Sequence, residues 1–163
     1  MSPTTKHETE IYVDPDLPTV RITREFDASP DRVFRAWAEP DLFAQWNGPR
    51  DLTMRIETYD VRTGGAYRYT HTDSDGNDYT FFGSFHEVRP NERIVQTFTF
   101  EGFPDSVSLE TMTLEDLGDG RTRVVGESMF DSMQARDGMV ASGMEIGVRE
   151  GYEKLDELLE NQA

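Results

Sequence analysis

The stretch VRITREFDASPDRVFRAWAEPDLFAQW, residues 20–46, holds a strand and two short helices in succession. Val20, Ile22, Arg24 and Phe26 alternate with Arg21, Thr23 and Glu25, the period-two pattern of a half-buried strand that ends at Asp27. Ser29-Pro30-Asp31 then supplies a helix N-terminus: a hydroxyl N-cap, a proline whose fixed φ suits the first helical position, and a carboxylate in the first turn. Val33, Phe34 and Trp37 share one face of that helix. Pro40 stops it, and Leu42, Phe43 and Trp46 form a further turn or two whose aromatic face also needs cover.

Over residues 51–130 the period is two. Leu52, Met54 and Ile56 alternate with Thr53, Arg55 and Glu57; Gly64-Gly65 is a turn; Tyr67, Tyr69 and His71 alternate with Arg68 and Thr70. Asp75-Gly76 is a hairpin dipeptide, and residues 79–88 resume the strand pattern until Pro90-Asn91 turns it. Ile94, Gln96, Phe98 and Phe100 mark a fifth strand, residues 107–117 a sixth, and Gly118-Asp119-Gly120 turns into a seventh over residues 122–130. The last third changes spacing: Met133, Val140, Met144, Val148, Tyr152, Leu155 and Leu159 predict one long amphipathic helix over residues 132–161. Gly143, Gly147 and Gly151 lie four apart on an adjacent stripe, at a cost of about 1 kcal/mol each relative to alanine. That cost predicts a close approach, by sheet side chains or by a ligand between helix and sheet. The expected fold is α+β, a curved antiparallel sheet of about seven strands (strand, two short helices, six strands) around a long C-terminal helix. Residues 1–18 form a polar N-terminal arm in which Ile11, Tyr12 and Val13 can dock, and residues 19–163 a single domain.

Composition narrows the function. The 163 residues carry 32 acidic against 16 basic side chains, a net charge of −16, so direct nucleic-acid binding, which depends on Lys and Arg at phosphates, is disfavoured. Zero cysteines exclude disulfides, thiolate metal sites and a cysteine nucleophile. No stretch approaches the roughly 20 apolar residues of a membrane span, and the polar N-terminus does not resemble a signal peptide, so a soluble, cytoplasmic protein without a membrane partner is expected. No Gly-x-Ser-x-Gly elbow, phosphate loop, dinucleotide fingerprint or helical histidine pair occurs. Residues 73–78, DSDGND, have their glycine at the fourth position rather than the sixth that a calcium loop requires, and are read as a hairpin turn. No metal, cofactor or catalytic residue is predicted.

The order of elements is that of a helix-grip (START/Bet v 1-like) fold, and the residues go further. ITREFDASP (22–30) with VFRAW (33–37), Pro40, Leu42 and Trp46 resembles the opening signature of the Aha1-like branch of the START/Bet v 1 superfamily. DVRTGGAYR (60–68) resembles its second motif; Gly83, PNERIV (90–95) with Thr97, Glu115-Asp116, and Gly151-Tyr152 with Leu155 and Leu158 resemble the others. The resemblance spans roughly residues 20–160 and departs in the polar arm and in the glycine-rich start of the last helix. It implies a fold and a cavity rather than a reaction. Members include the C-terminal domain of the Hsp90 ATPase activator, bacterial proteins of unknown role, and self-resistance proteins that bind enediynes such as calicheamicin.

The elements expected to enclose that cavity carry the candidate ligand-binding residues. These are Phe34, Trp37, Phe43 and Trp46 on the short helices, Tyr67, Tyr69, Phe81, Gly83, Phe85, Phe98 and Phe100 on strands, and Met139, Gly143, Met144 and Gly147 on the last helix. His71 and His86 fall on neighbouring strands, where ordinary strand roles are favoured over a shared cavity role. The leading expectation is non-enzymatic binding of a bulky, largely apolar or aromatic small molecule of polyketide or enediyne type, with self-resistance by sequestration or self-sacrifice. For self-sacrifice, in which an activated enediyne abstracts a glycine hydrogen, Gly83, Gly138, Gly143 and Gly147 are the candidates. A polyketide cyclase-like enzyme is the alternative, and its acid or base would be Glu127 or His86. An Hsp90 co-chaperone-like protein is the second alternative, disfavoured because the chain is too short to carry the activator's additional domain.

Overall fold

Two prolines open the two short helices: Pro30 starts α1 (Pro30–Ala38) and Pro40 starts α2 (Pro40–Trp46), each at a position that needs no amide hydrogen. In the computed structural model, which describes residues 7–161, they sit between the second and third of eight strands. These are β1 (Glu10–Val13), β2 (Thr19–Phe26), β3 (Thr53–Tyr59), β4 (Ala66–Thr72), β5 (Asp78–Arg89), β6 (Arg93–Phe100), β7 (Ser108–Gly118) and β8 (Arg121–Met129), followed by α3 (Met133–Ala141) and α4 (Met144–Asn161). The strands form one antiparallel sheet in the order β1-β2-β8-β7-β6-β5-β4-β3. The fold is the α+β helix-grip arrangement.

Three sequence expectations need correction. The sheet has eight strands rather than seven: Ile11, Tyr12 and Val13, the part of the arm expected to dock, do so as β1, which pairs with β2, Ile11 opposite Ile22. Only four residues long, with Tyr12 and Val13 exposed, β1 has too little alternation to be read as a strand. Residues 1–6 of that arm lie outside the described residues.

The single long helix over 132–161 is two helices. Ser132 caps α3 by accepting from the Ala135 amide at 3.0 Å, and Gly143 adopts φ +89°, a left-handed conformation that ends one helix before the next begins. Helical spacing survives on both sides of the break, which is why periodicity alone joins them.

The third correction concerns the glycine stripe. A Cβ on Gly151 would lie 3.1 Å from the Trp46 carbonyl and 3.4 Å from the Gly48 amide nitrogen, one on Gly147 would lie 3.4 Å from Pro49, and one on Gly143 would meet nothing within 4 Å. At Gly147 and Gly151 the close partner is therefore the end of α2 and the segment that follows it, not sheet side chains.

The core gathers where α4 crosses α1 and α2. Leu155, Leu158 and Leu159 are buried there beside Val33, Phe34 and Trp46. Arg24, on β2, is 1% exposed and donates through Nη1 and Nη2 to the Asp156 carboxylate at 2.9 and 2.5 Å, while its guanidinium lies 4.8 Å from the Phe26 ring centre. Arg136 ties α3 to the turn between β1 and β2, donating to the Asp14 and Leu17 carbonyls at 2.6 and 2.8 Å. No described helix is long and apolar enough to cross a membrane. Leu155 is fully buried, so Leu155→Ala is expected to destabilise the protein by about 2–5 kcal/mol, read as a lowered melting temperature.

Candidate functional site: the inner face of the sheet

The register fixes which side chains face the helices. Tyr67 pairs with Gly83 and Tyr69 with Phe81, Phe81 pairs with Phe100, Phe98 with Ser108, and Gln96 with Glu110. Side chains alternate along each strand, so these residues share one face, together with Tyr59, Phe85, Met112 and Val124. This inner face is largely aromatic. Phe81 and Phe98 stack at 5.2 Å, Phe43 and Tyr59 at 4.8 Å, and Tyr67 and Tyr69 at 5.9 Å, while Phe26, Trp37 and Trp46 gather around Tyr152 of α4.

The expected lining residues divide into two groups. Phe34, Phe43, Trp46, Tyr67, Tyr69 and Phe85 are buried and form part of the core. Two polar tips are fixed on backbone: the Trp46 indole donates to the Ala36 carbonyl at 2.8 Å and the Tyr67 hydroxyl to the Thr97 carbonyl. Trp37, Phe81, Phe98, Phe100, Met139 and Met144 are only half-buried. Gly83 has a local structural role, since a Cβ there would lie 2.0 Å from the Thr97 carbonyl oxygen and 2.7 Å from the Tyr67 hydroxyl. Gly138 and Gly143 are exposed, with nothing within 4 Å of an added Cβ, and Gly147 faces Pro49.

The two histidines part company. His86 is exposed, whereas His71 is buried against Gly48, with its ring 5.4 Å from Tyr69 and 5.5 Å from Phe81. Its Nε2 has no hydrogen-bond partner among the described residues. Burial, with the nearby Lys154 charge added, pushes its pKa down to about 4. Glu127 lies on the opposite face of the sheet, paired with Arg21 at 3.2 Å. There it borders a hollow of about 690 Å³ with Thr23, Arg93, Thr111, Thr113, Arg123 and Val125. The arginines of that hollow are held by Glu127, Glu87, Glu25 and Glu115, so it is a charged surface feature.

Sequence reasoning missed the polar residues of the inner face. Glu110 projects from β7 between Gln96 of β6 and Ser128 of β8, its register partners, and accepts from the Ser108 hydroxyl at 3.1 Å. Burial raises its carboxyl above the ordinary range, although the side chain keeps some accessible surface. Tyr152 shares that character on the helix side.

Two outcomes test this geometry. Gly83→Ala is expected to cost about 2 kcal/mol or more in denaturant unfolding, because the added carbon overlaps a backbone carbonyl that cannot turn away. For His71 the folded pKa lies below the unfolded value of 6.5, so its contribution to stability is complete above pH 6.5 and is lost as pH falls to about 4. Across that window wild type is expected to lose stability relative to His71→Phe, with a slope up to about 1.4 kcal/mol per pH unit, measured by unfolding at successive pH values.

Known proteins agree with this architecture. Residues 27–160 match the family described as Activator of Hsp90 ATPase homolog 1-like protein. A Mycobacterium smegmatis protein of known crystal structure is 27% identical, with a TM-score of 0.83 over 93% of this chain and 96% of its own. An Arthrobacter aurescens protein solved in solution is 29% identical, with a TM-score of 0.85 over 93% of this chain and 91% of its own. A Rhodobacter sphaeroides protein at 23% identity, TM-score 0.85, covering 94% of this chain and 99% of its own, shares the fold. No curated protein matches. With five-sixths of its length inside one family's pattern and its strands and helices in that family's order, the chain belongs to the Activator of Hsp90 ATPase homolog 1-like family, in the START/Bet v 1 superfamily.

Proposed function

We propose that the protein binds a bulky, largely apolar small molecule, of polyketide or enediyne type, between the inner face of the sheet and its C-terminal helices, and acts in the cytoplasm by sequestering it. One observation carries this reading: Phe81, Phe98 and Phe100 line up across β5 and β6 facing the helices yet stay half-buried, while α4 packs mainly against α1 and α2. Aromatic surface left uncovered on a concave face is what an apolar ligand needs.

Sequestration is favoured over self-sacrifice. Gly83 is enclosed by the Thr97 carbonyl and the Tyr67 hydroxyl, Gly138 and Gly143 are exposed on the helices, and Gly147 lies against Pro49, so none of the four offers a hydrogen to a ligand over the aromatic face. The cyclase-like alternative loses both of its named groups, because Glu127 is on the outer face and His86 is exposed.

The test is thermal unfolding and tryptophan fluorescence with a panel of aromatic polyketides, enediynes and simpler polycyclic hydrocarbons. A ligand present at about 100 times its Kd should stabilise the protein by about 2.7 kcal/mol and change the emission of Trp37 and Trp46. A panel that shifts neither melting temperature nor emission refutes the reading.

A further inference from the structure

Glu110 is an acid to which the fold gives no counter-charge. Among the described residues its carboxyl accepts from the Ser108 hydroxyl at 3.1 Å and forms no ion pair with an arginine, lysine or histidine. Leaving a carboxylate inside a protein without a cation is costly, so a sequence shaped only by stability would place glutamine or an apolar residue there.

Its surroundings indicate what would compensate that charge. Tyr67 and Tyr69 of β4 share the inner face with Glu110, and burial raises their phenols, like that of Tyr152 on α4, above the ordinary range. Phe98 lies one row away on the same face, opposite Ser108, and stacks on Phe81. Aromatic faces carry negative potential and attract cations, most strongly when the site is shielded from water. A net charge of −16 draws cations toward the whole molecule.

We propose that Glu110 anchors an organic-cation subsite, which takes a ligand with an apolar or aromatic body and one protonated amine, the ammonium on the Glu110 carboxylate and the body over the Tyr69, Phe81 and Phe98 rings. The inference rests on the cavity-binding reading and narrows its ligand class. A neutral hydroxyl would gain a hydrogen bond but leave the charge uncompensated. An anion would be repelled by Glu110.

Three probes with one ring system and different charge separate these cases: 1-naphthylmethylamine, 1-naphthylmethanol and 1-naphthoate, each titrated calorimetrically into wild type and Glu110→Gln. Wild type is expected to bind the amine at least about tenfold more tightly than the alcohol, and the naphthoate weakest. Glu110→Gln is expected to erase that preference by weakening the amine far more than the alcohol, and to melt at the same or a higher temperature than wild type when empty. Equal binding of amine and alcohol, a preference that survives Glu110→Gln, or a marked fall in the melting temperature of the empty variant each overturns the subsite and leaves the cavity reading standing. Failure of all three probes to bind wild type overturns both.

Discussion

The ion pair between Arg24 and Asp156 sets the geometry on which the rest depends. Arg24 is on the strand that opens the domain body and Asp156 is on the final helix, and the guanidinium is sealed from water. A buried charge of this kind adds little net stability compared with an apolar pair, but it tolerates only arrangements in which its partner is present. It therefore fixes the rotation of α4. With Asp156 turned toward β2, Leu155 and Leu159 fall into the core, Tyr152 meets Phe26 edge-on at 5.3 Å, and Gly151 comes against the Trp46 carbonyl. The aromatic faces of α1 and α2 find their cover there. Because α4 is committed to α1 and α2, the strands farther along the sheet keep aromatic surface that no helix fully covers.

Much of this was legible in the sequence. The alternation from Val20 to Phe26, the Ser29-Pro30 helix start and the Pro40 break appear in the structure as β2, α1 and α2. The Asp73–Gly76 turn is held as a hairpin by the Asp73 carboxylate, which accepts from the Asp75 and Asn77 amides at 2.9 Å. What stayed hidden has physical causes. Ser142-Gly143 interrupts a helix without disturbing its apolar spacing, and a glycine's choice of left-handed φ is not written in its neighbours. The eighth strand is too short to show a period.

The inner-face acid was hidden for a different reason. In SLETMTL, residues 108–114, one face carries Ser108, Glu110, Met112 and Leu114 and the other Leu109, Thr111 and Thr113, so each face mixes polar with apolar and the pattern does not say which is inside. Pairing settles it: Met112 opposite Ile94 and Gly126 brings Glu110 inward with it. His71 shows the opposite case. Its strand pattern places it on the inner face, yet nothing in the sequence indicates that Gly48 would close over the ring and leave Nε2 without a partner.

The strand order also governs how the chain is assembled in time. From β3 to β8 every strand pairs with its sequence neighbour, so that stretch can form hairpin by hairpin. β2 has its neighbour β1 on one edge, but on the other it waits for β8, with Thr19 opposite Met129 and Phe26 opposite Thr122, and α2 waits for α4. Contacts so distant along the chain are slow to form, because the intervening loop must close before any of them is rewarded. On a ribosome the segment made early, with the Phe26, Trp37 and Trp46 rings that meet Tyr152, is the segment covered last. Its aromatic side chains stay open to other partners until the C-terminal helix emerges, which makes the final third of the chain the step that commits the molecule to its fold.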